Sequence, residues 1–343
     1  MMRAAYIGIL TPGSTSRMRA EWLRRLTPEW KWEWIDTDGP LLTTSRMWQS
    51  FAYRFQIGKG VDRINDVVEA GMAGKSLDLV WIDKAIFLRP GTVARIRSTS
   101  SRLVHFTPDT AFHANRSRNF EKTLRLFDVL VTTKSFEVNE YRKRIDRDTI
   151  LLATQGFDPE VHYPRIADAD RRKDVVFVGL AEPDRQRCLS VLLQNGIPVR
   201  LAGLGWDSFV SRWKRNRLFH FEGEFVSGDD YAELLSSSWI GLGLLSKRFP
   251  ELHTTRTFEI PACGTVLATE SNRETTAFFN HDEALFFRDF EDLARQIGDA
   301  FSAGNVSLAS IAARGRERVT NDHRDYPQIL ANILGDSRIS GVA

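Results

Sequence analysis

The chain is punctuated by short apolar runs, each closed by turn residues and set apart from the next by a stretch long enough for a helix. AAYIGIL (Ala4 to Leu10) stops at Thr-Pro-Gly, and LDLVWID (Leu77 to Asp83), RLVHFTPD (Arg102 to Asp109) and FDVLVTT (Phe127 to Thr133) follow it. Uninterrupted apolar runs of this length suit strands buried on both faces of a parallel sheet. WKWEWID (Trp30 to Asp36) alternates instead, so Trp30, Trp32 and Trp34 share one strand face, which the pattern predicts to pack inward. RMRAEWLRRL (Arg17 to Leu26) has helical spacing at Met18, Trp22, Leu23 and Leu26. Alternating strands and helices predict an α/β chain with a doubly wound sheet.

The plan then restarts. Gln155 to Asp174, rich in proline and charge, reads as a linker. Beyond it DVVFVGL (Asp174 to Leu180), PVRLAGLG (Pro198 to Gly205) and WIGLGLL (Trp239 to Leu245) read as strands, with helices from about Arg185 and across Tyr231 to Ser236. A chain of 343 residues exceeds one ordinary core and suits two domains of about 150 residues each. The expected organisation is a Rossmann-like domain over 1–165, a second over 166–320, and a tail over 321–343 that packs back on the first.

Hydrophobic content of 42% and charged content of 27% belong to a soluble globular chain. No apolar run approaches the roughly 18 residues of a membrane span, and MMRAAYIGIL reaches Thr-Pro-Gly too soon for a signal peptide, so a cytoplasmic protein is expected. Cys188 and Cys263 sit in apolar helical contexts without metal-ligand spacing and are expected as buried thiols. The net charge of +3 hides an asymmetry: residues 1–150 hold 25 Lys and Arg against 17 Asp and Glu, and the rest 22 against 27. A basic first half could face an acidic acceptor or an anionic membrane surface, whereas no nucleic-acid motif accompanies the charge. Trp22, Trp30, Trp32 and Trp34 lie near Arg17, Arg19, Arg24 and Arg25, which predicts at most weak peripheral lipid binding by that stretch.

Ligands of open α/β sheets bind beyond the carboxyl ends of the strands. Neither GxGxxG after a strand nor GxxxxGK[ST] occurs, which argues against dehydrogenase and P-loop chemistry. The stretch HTTRTFEIPACGTVLATES (His253 to Ser271) reads as loop, short helix, glycine stop at Gly264, then strand, with Thr254, Thr255 and Thr257 as cap formers. A helix start attracts phosphate, and Arg256 adds a fixed fork of donors. Glu259, one turn on, offers acceptors for the two hydroxyls of a ribose. The neighbouring loops add Gly179, Arg185, Gly203, Trp206, Lys247 and His253 to the candidate nucleotide site, with Trp206 at a strand end where a base could rest.

FVGLAEPDRQR, LAGLGW, GDDYAELLSSSWIGLGLLS, HTTRTFEIPACGTVLATES and the earlier QGFDPEVHYP, in that order, resemble the CgeB-type (spore-maturation) glycosyltransferases of the GT-B fold. The resemblance is best over about 127–320. It implies two Rossmann-like domains facing across a cleft, the nucleotide sugar held by the second, and a glycan-type acceptor. It implies a pair of glutamates with seven residues between them, matched in spacing by Glu251 and Glu259, and a diphosphate bound by cations among Arg185, Lys247 and Arg256. It also implies chemistry without a bound metal or other cofactor, the sugar nucleotide being the substrate. For an inverting reaction a base on the first domain would be needed, and Asp109 or His113 is the candidate. Alternatives are a nucleotide-sugar 2-epimerase on the same fold and a catalytically silent binding module.

Overall fold

The computed structural model describes residues 1–341. The chain divides into two compact units, one made of Met1–Thr154 with the chain from Tyr326 on, the other of Gln155–Asp325. Each contains one six-stranded sheet.

In the first unit the strands are β1 (Arg3–Gly8), β2 (Lys31–Asp36), β3 (Leu77–Asp83), β4 (Ser100–Thr107), β5 (Val129–Thr132) and β6 (Ile150–Leu152), in the spatial order β2-β1-β3-β4-β5-β6. All neighbours run parallel, with Tyr6 opposite Trp34 on one side and Trp81 on the other. β3 is buried along nearly its whole length, as its unbroken apolar run requires. One face packs Ala5, Ile7, Val80 and Ile82 against Val61, Ile64, Val68 and Val93 of the flanking helices. On the helix Thr15–Leu26, Met18, Ala20 and Leu23 are buried, and the helix Tyr326–Leu334 packs against it.

β2 departs from expectation. It is an edge strand, and Trp30, Trp32 and Trp34 stay partly exposed while Ile35 alone is fully buried, on the opposite face. The Trp32 indole donates to Thr27 Oγ1 (2.8 Å) and stacks on Trp30 (6.0 Å), and Trp32 and Trp34 border a surface hollow with Arg17, Glu21 and Arg24. An edge strand has only one neighbour, so its aromatic face meets a polar helix rather than a core.

In the second unit β7 (Arg172–Val178), β8 (Val199–Ala202), β9 (Phe219–Gly223), β10 (Ser238–Gly243), β11 (Val266–Glu270) and β12 (Leu285–Phe287) lie in the order β12-β11-β10-β7-β8-β9, again all parallel. The stretch expected as a linker is not loose. β7 starts inside it at Arg172, Phe157 is buried and its N–H donates to Arg324 O (3.1 Å), and the His162 ring accepts from Asp158 N–H (3.0 Å). Cys188 and Cys263 are both buried thiols, which burial pushes well above the ordinary thiol range.

Both sheets share one topological feature. The chain leaves β7 toward β8 and β9 on one side, and β10 toward β11 and β12 on the other, so β7 and β10 flank the point where strand order reverses. Connections diverge there and leave a crevice beyond the strand ends. In the first unit the same point lies between β1 and β3.

Candidate functional site

The second unit's crevice is built from three loops. After β7 comes Gly179 and after β8 comes Gly203, and the two turns are fastened together. Gly179 N–H donates to Ala202 O (3.0 Å), Ala181 N–H to Leu204 O (3.0 Å), and the Trp206 indole N–H to Gly179 O (2.8 Å). Gly203 has φ 135°, and a Cβ there would lie 2.0 Å from Gly179 O. Only glycine fits. Trp206 itself is buried, edge-on to Phe177 and Phe209. It braces the two turns from beneath and presents no face to a base, which corrects its place among the ligand-binding candidates.

Above these turns sit two arginines. Arg256, first residue of the helix Arg256–Ala262, spans the reversal point: Nη1 donates to Val178 O at the end of β7 (3.2 Å) and Nη2 to Leu244 O just past β10 (3.3 Å). Arg185, in the first turn of the helix Pro183–Gln194, donates Nη1 to Leu180 O (3.0 Å) and pairs with Glu182 (3.2 Å). Both guanidiniums lie over the single ring of Phe177, at 5.6 Å for Arg185 and 5.5 Å for Arg256. Such contacts help to hold a cation away from water.

The electrostatics follow from that crowding. Burial first, and the Arg256 charge second, pull the Arg185 pKa down to about 10, with Glu182 and Glu251 opposing the shift. Arg256 makes no ion pair among the described residues, and the buried Nε atoms of both arginines find no acceptor there. Arg185 is buried and paired with Glu182, whereas the half-buried Arg256 has neither a counter-charge nor an acceptor for its Nε among the described residues. An oxyanion would supply both.

The third loop, 244–255, closes the arrangement. Ser246 Oγ donates to Glu182 Oε2 (3.0 Å) and Ser246 N–H to Glu251 Oε2 (3.0 Å), which sets Glu251 on the Arg185 side. Glu182 and Ser246 escaped the sequence reading; a Glu-Pro pair opening a helix is an N-terminal signal, but its partner lies 64 residues away.

Other predicted residues are placed elsewhere in the unit. Glu259 is only 3% exposed, its Oε2 accepting from the Tyr231 hydroxyl (2.8 Å) and its Oε1 standing 3.9 Å from His162 Nε2. Tyr231 is held well above its ordinary pKa by burial and by Glu259, so it remains a donor. His253 is buried, Nδ1 2.6 Å from Glu274 and Nε2 accepting from Gln155 N–H (3.3 Å). Its ring nitrogens join loops rather than face a sugar. Lys247 forms an ion pair with Glu270 on the surface.

The threonines correct the capping expectation. Thr255 precedes the helix in helical conformation with no side-chain cap, and Thr257 Oγ1 accepts from Thr254 N–H (3.1 Å). The N–H groups of Thr257, Phe258 and Glu259 bond back to the Thr254 and Thr255 carbonyls. The seven-residue helix therefore has little spare donor capacity in its backbone, and the anion-seeking groups are the arginine side chains.

In the first unit Asp109 forms an ion pair with Lys84, a residue in the left-handed region at φ 65°. Burial raises the Asp109 pKa, but Lys84, Lys134 and Arg19 outweigh it and hold the carboxyl below its usual range. Asp109 caps no helix; the buried Glu137 accepts the N–H groups of Ala111 and Phe112 (2.8 and 2.9 Å). His113 Nε2 lies 2.8 Å from Glu140. At the sheet's reversal point the buried pair Arg19–Asp83 (2.8 Å) is joined by the Tyr6 hydroxyl (2.8 Å). His105 is packed against Phe120 and Phe127, and burial lowers its pKa to about 3.

Two Rossmann-like units, each an all-parallel six-stranded sheet flanked by helices, make this the GT-B fold. A family model described as glycosyl transferase-like matches residues 185–335. Among solved structures, sucrose-phosphate synthase of Thermosynechococcus elongatus is similar at TM-score 0.66 and 14% identity, covering 97% of each chain. Anabaena HepE in complex with UDP-glucose gives TM-score 0.64 and 12% identity over 97% of this chain and 99% of that one. A Rickettsia africae glycosyltransferase gives TM-score 0.67 and 13% identity over 99% and 98%. No curated protein matches the sequence.

Proposed function

We propose that the chain is a CgeB-type glycosyltransferase that moves a sugar from a nucleoside-diphosphate sugar to a glycan-type acceptor in the cytoplasm. The observation that carries this reading is the Arg185–Arg256 pair over Phe177 at the strand-order reversal. Cleaving the bond between the anomeric carbon and the phosphate oxygen leaves positive charge on the sugar ring and negative charge on the departing diphosphate. Cations fixed in a low-dielectric crevice stabilise that charge as it develops, without reorganising. Charge neutralisation by two guanidiniums needs no metal ion. The glycosyl transferase-like match begins at Arg185 itself, and HepE, of the same fold, was solved with UDP-glucose and with UDP.

Glu259, held by Tyr231, is the proposed acceptor for nucleoside hydroxyls, and Glu251, beside Arg185, the proposed neighbour of the donor sugar. The test is release of nucleoside diphosphate from a panel of sugar nucleotides, with chelator present. Slow release from one donor that persists in chelator supports the reading. Epimerised sugar nucleotide without release would point to the epimerase, and no turnover of any donor to the silent module.

A further inference from the structure

The helix Arg46–Phe55 is turned inside out. Of its ten residues only Ala52 is buried, and Tyr53, on the same side as Gln49, leans on Phe87 (5.2 Å). Its outward side carries Met47 (63% exposed), Phe51 (42%) and Phe55 (51%), with Ile57 (56%) just beyond the helix end. Helical geometry puts 47, 51 and 55 in one row, four apart. The rings touch along it: Trp48 meets Phe51 at 5.9 Å and Phe51 meets Phe55 at 4.9 Å. A soluble surface rarely gathers so many large apolar side chains on one helix without a partner for them.

Arginine and lysine dominate the charge around the row, with Asp38, bonded to Thr11, near Tyr53 on the helix's other side. Arg46 and Arg54 flank it, Lys59 lies over the Trp48 ring (5.8 Å), and Arg63 reaches Thr43 O (3.2 Å) from the following helix. Residues 39–61 contain no Asp or Glu, in a chain with 44 of them, and the first acid beyond, Asp62, is paired with Arg89. Aromatic and aliphatic side chains ringed by arginine and lysine are what a helix lying in the headgroup region presents. A protein partner of matching chemistry would need an acidic rim; an anionic bilayer offers that charge everywhere.

We propose that the helix Arg46–Phe55 docks the protein peripherally on anionic lipid, with Met47, Phe51 and Phe55 entering the headgroup boundary and Arg46, Arg54 and Lys59 meeting lipid phosphates. This surface differs from the tryptophan-lined edge of β2. Docking through this helix does not depend on sugar transfer by the second unit.

The test is sedimentation of the full chain with sucrose-loaded vesicles of phosphatidylcholine alone or with phosphatidylglycerol, at physiological salt. Wild type should bind the anionic vesicles and only weakly the neutral ones. Arg46→Gln/Arg54→Gln should lose roughly 30-fold in partitioning, the usual increment for two cations at an anionic surface. Phe51→Ser/Phe55→Ser should lose binding at least as severely, with an unchanged melting temperature because both side chains are exposed. Wild type that stays in the supernatant, or double variants that bind as well as wild type, would overturn the proposal. A dimer by light scattering that Phe51→Ser/Phe55→Ser dissociates would overturn it in favour of a second copy.

Discussion

Replacing Arg256 with glutamine separates phosphate recognition from the rest of the site. Arg256 donates to Val178 O and Leu244 O, and glutamine, shorter and uncharged, keeps at best one of these bonds. The fold should tolerate the change at a cost of about 1–3 kcal/mol for an unsatisfied carbonyl. Part of that is offset, because the fall of the Arg185 pKa to about 10 reports crowding to which Arg256 contributes after burial. The whole shift is worth roughly 3 kcal/mol, and Arg256 accounts for the smaller share. Ligand binding should suffer more selectively. A charge-assisted bond to a phosphate oxygen is worth about 1.5–3 kcal/mol, so nucleoside diphosphate should bind about 10- to 150-fold more weakly. The matching nucleoside should change less than about threefold. Isothermal titration calorimetry of wild type and Arg256→Gln, with both ligands, measures the two ratios. Equal losses for nucleoside and diphosphate would refute the phosphate role.

Other outcomes follow from the same geometry. Glu259→Ala should weaken nucleoside and diphosphate by the same factor, read in the same calorimeter, since it removes the acceptor held by Tyr231 rather than a phosphate contact. Gly203→Ala places a methyl against the Gly179 carbonyl at φ 135° and should cost at least about 3 kcal/mol, seen as a fall in Tm of roughly 6 °C or more. Lys84→Gly should be more stable than Lys84→Ala by about 1 kcal/mol in chemical denaturation, reversing the usual order, because φ 65° favours glycine. His105 resists protonation down to about pH 3 in the fold but takes a proton near 6.5 when unfolded. Its contribution is complete above pH 6.5 and declines as pH falls toward 3, so His105→Leu should flatten the acid limb of the stability profile by one proton. Diphosphate affinity should be level from about pH 7.5 to 9, where the terminal phosphate is fully ionised and Arg185 is charged, and should fall above the Arg185 pKa of about 10.

The strands whose apolar runs are buried on both faces, such as β3 and β7, were readable because burial and sequence pattern coincide. β6, β9 and β12 were not foreseen: each is a short edge strand, and β6 and β9 keep a residue exposed. Within the site, Arg256 and Gly203 announced themselves by type and position. What they do there depends on partners far along the chain, Val178 for Arg256 and Gly179 for Gly203. His253 looked like a ligand because its loop is polar, yet its ring nitrogen meets a backbone N–H 98 residues away. Trp206 likewise reads as a platform from the strand end and becomes a brace only once Gly179 O is seen above it. Local pattern specifies elements, and long-range contact decides which polar groups are already satisfied.

Sugar transfer as proposed requires that the second unit hold a nucleoside diphosphate. The most direct measurement is a thermal-shift panel of UDP, GDP, TDP, CDP and ADP beside the corresponding nucleosides at millimolar concentration. Binding to the folded state alone raises Tm by mass action. One diphosphate should raise Tm, its nucleoside should do so less, and Arg256→Gln should abolish the difference. No shift with any diphosphate would contradict it.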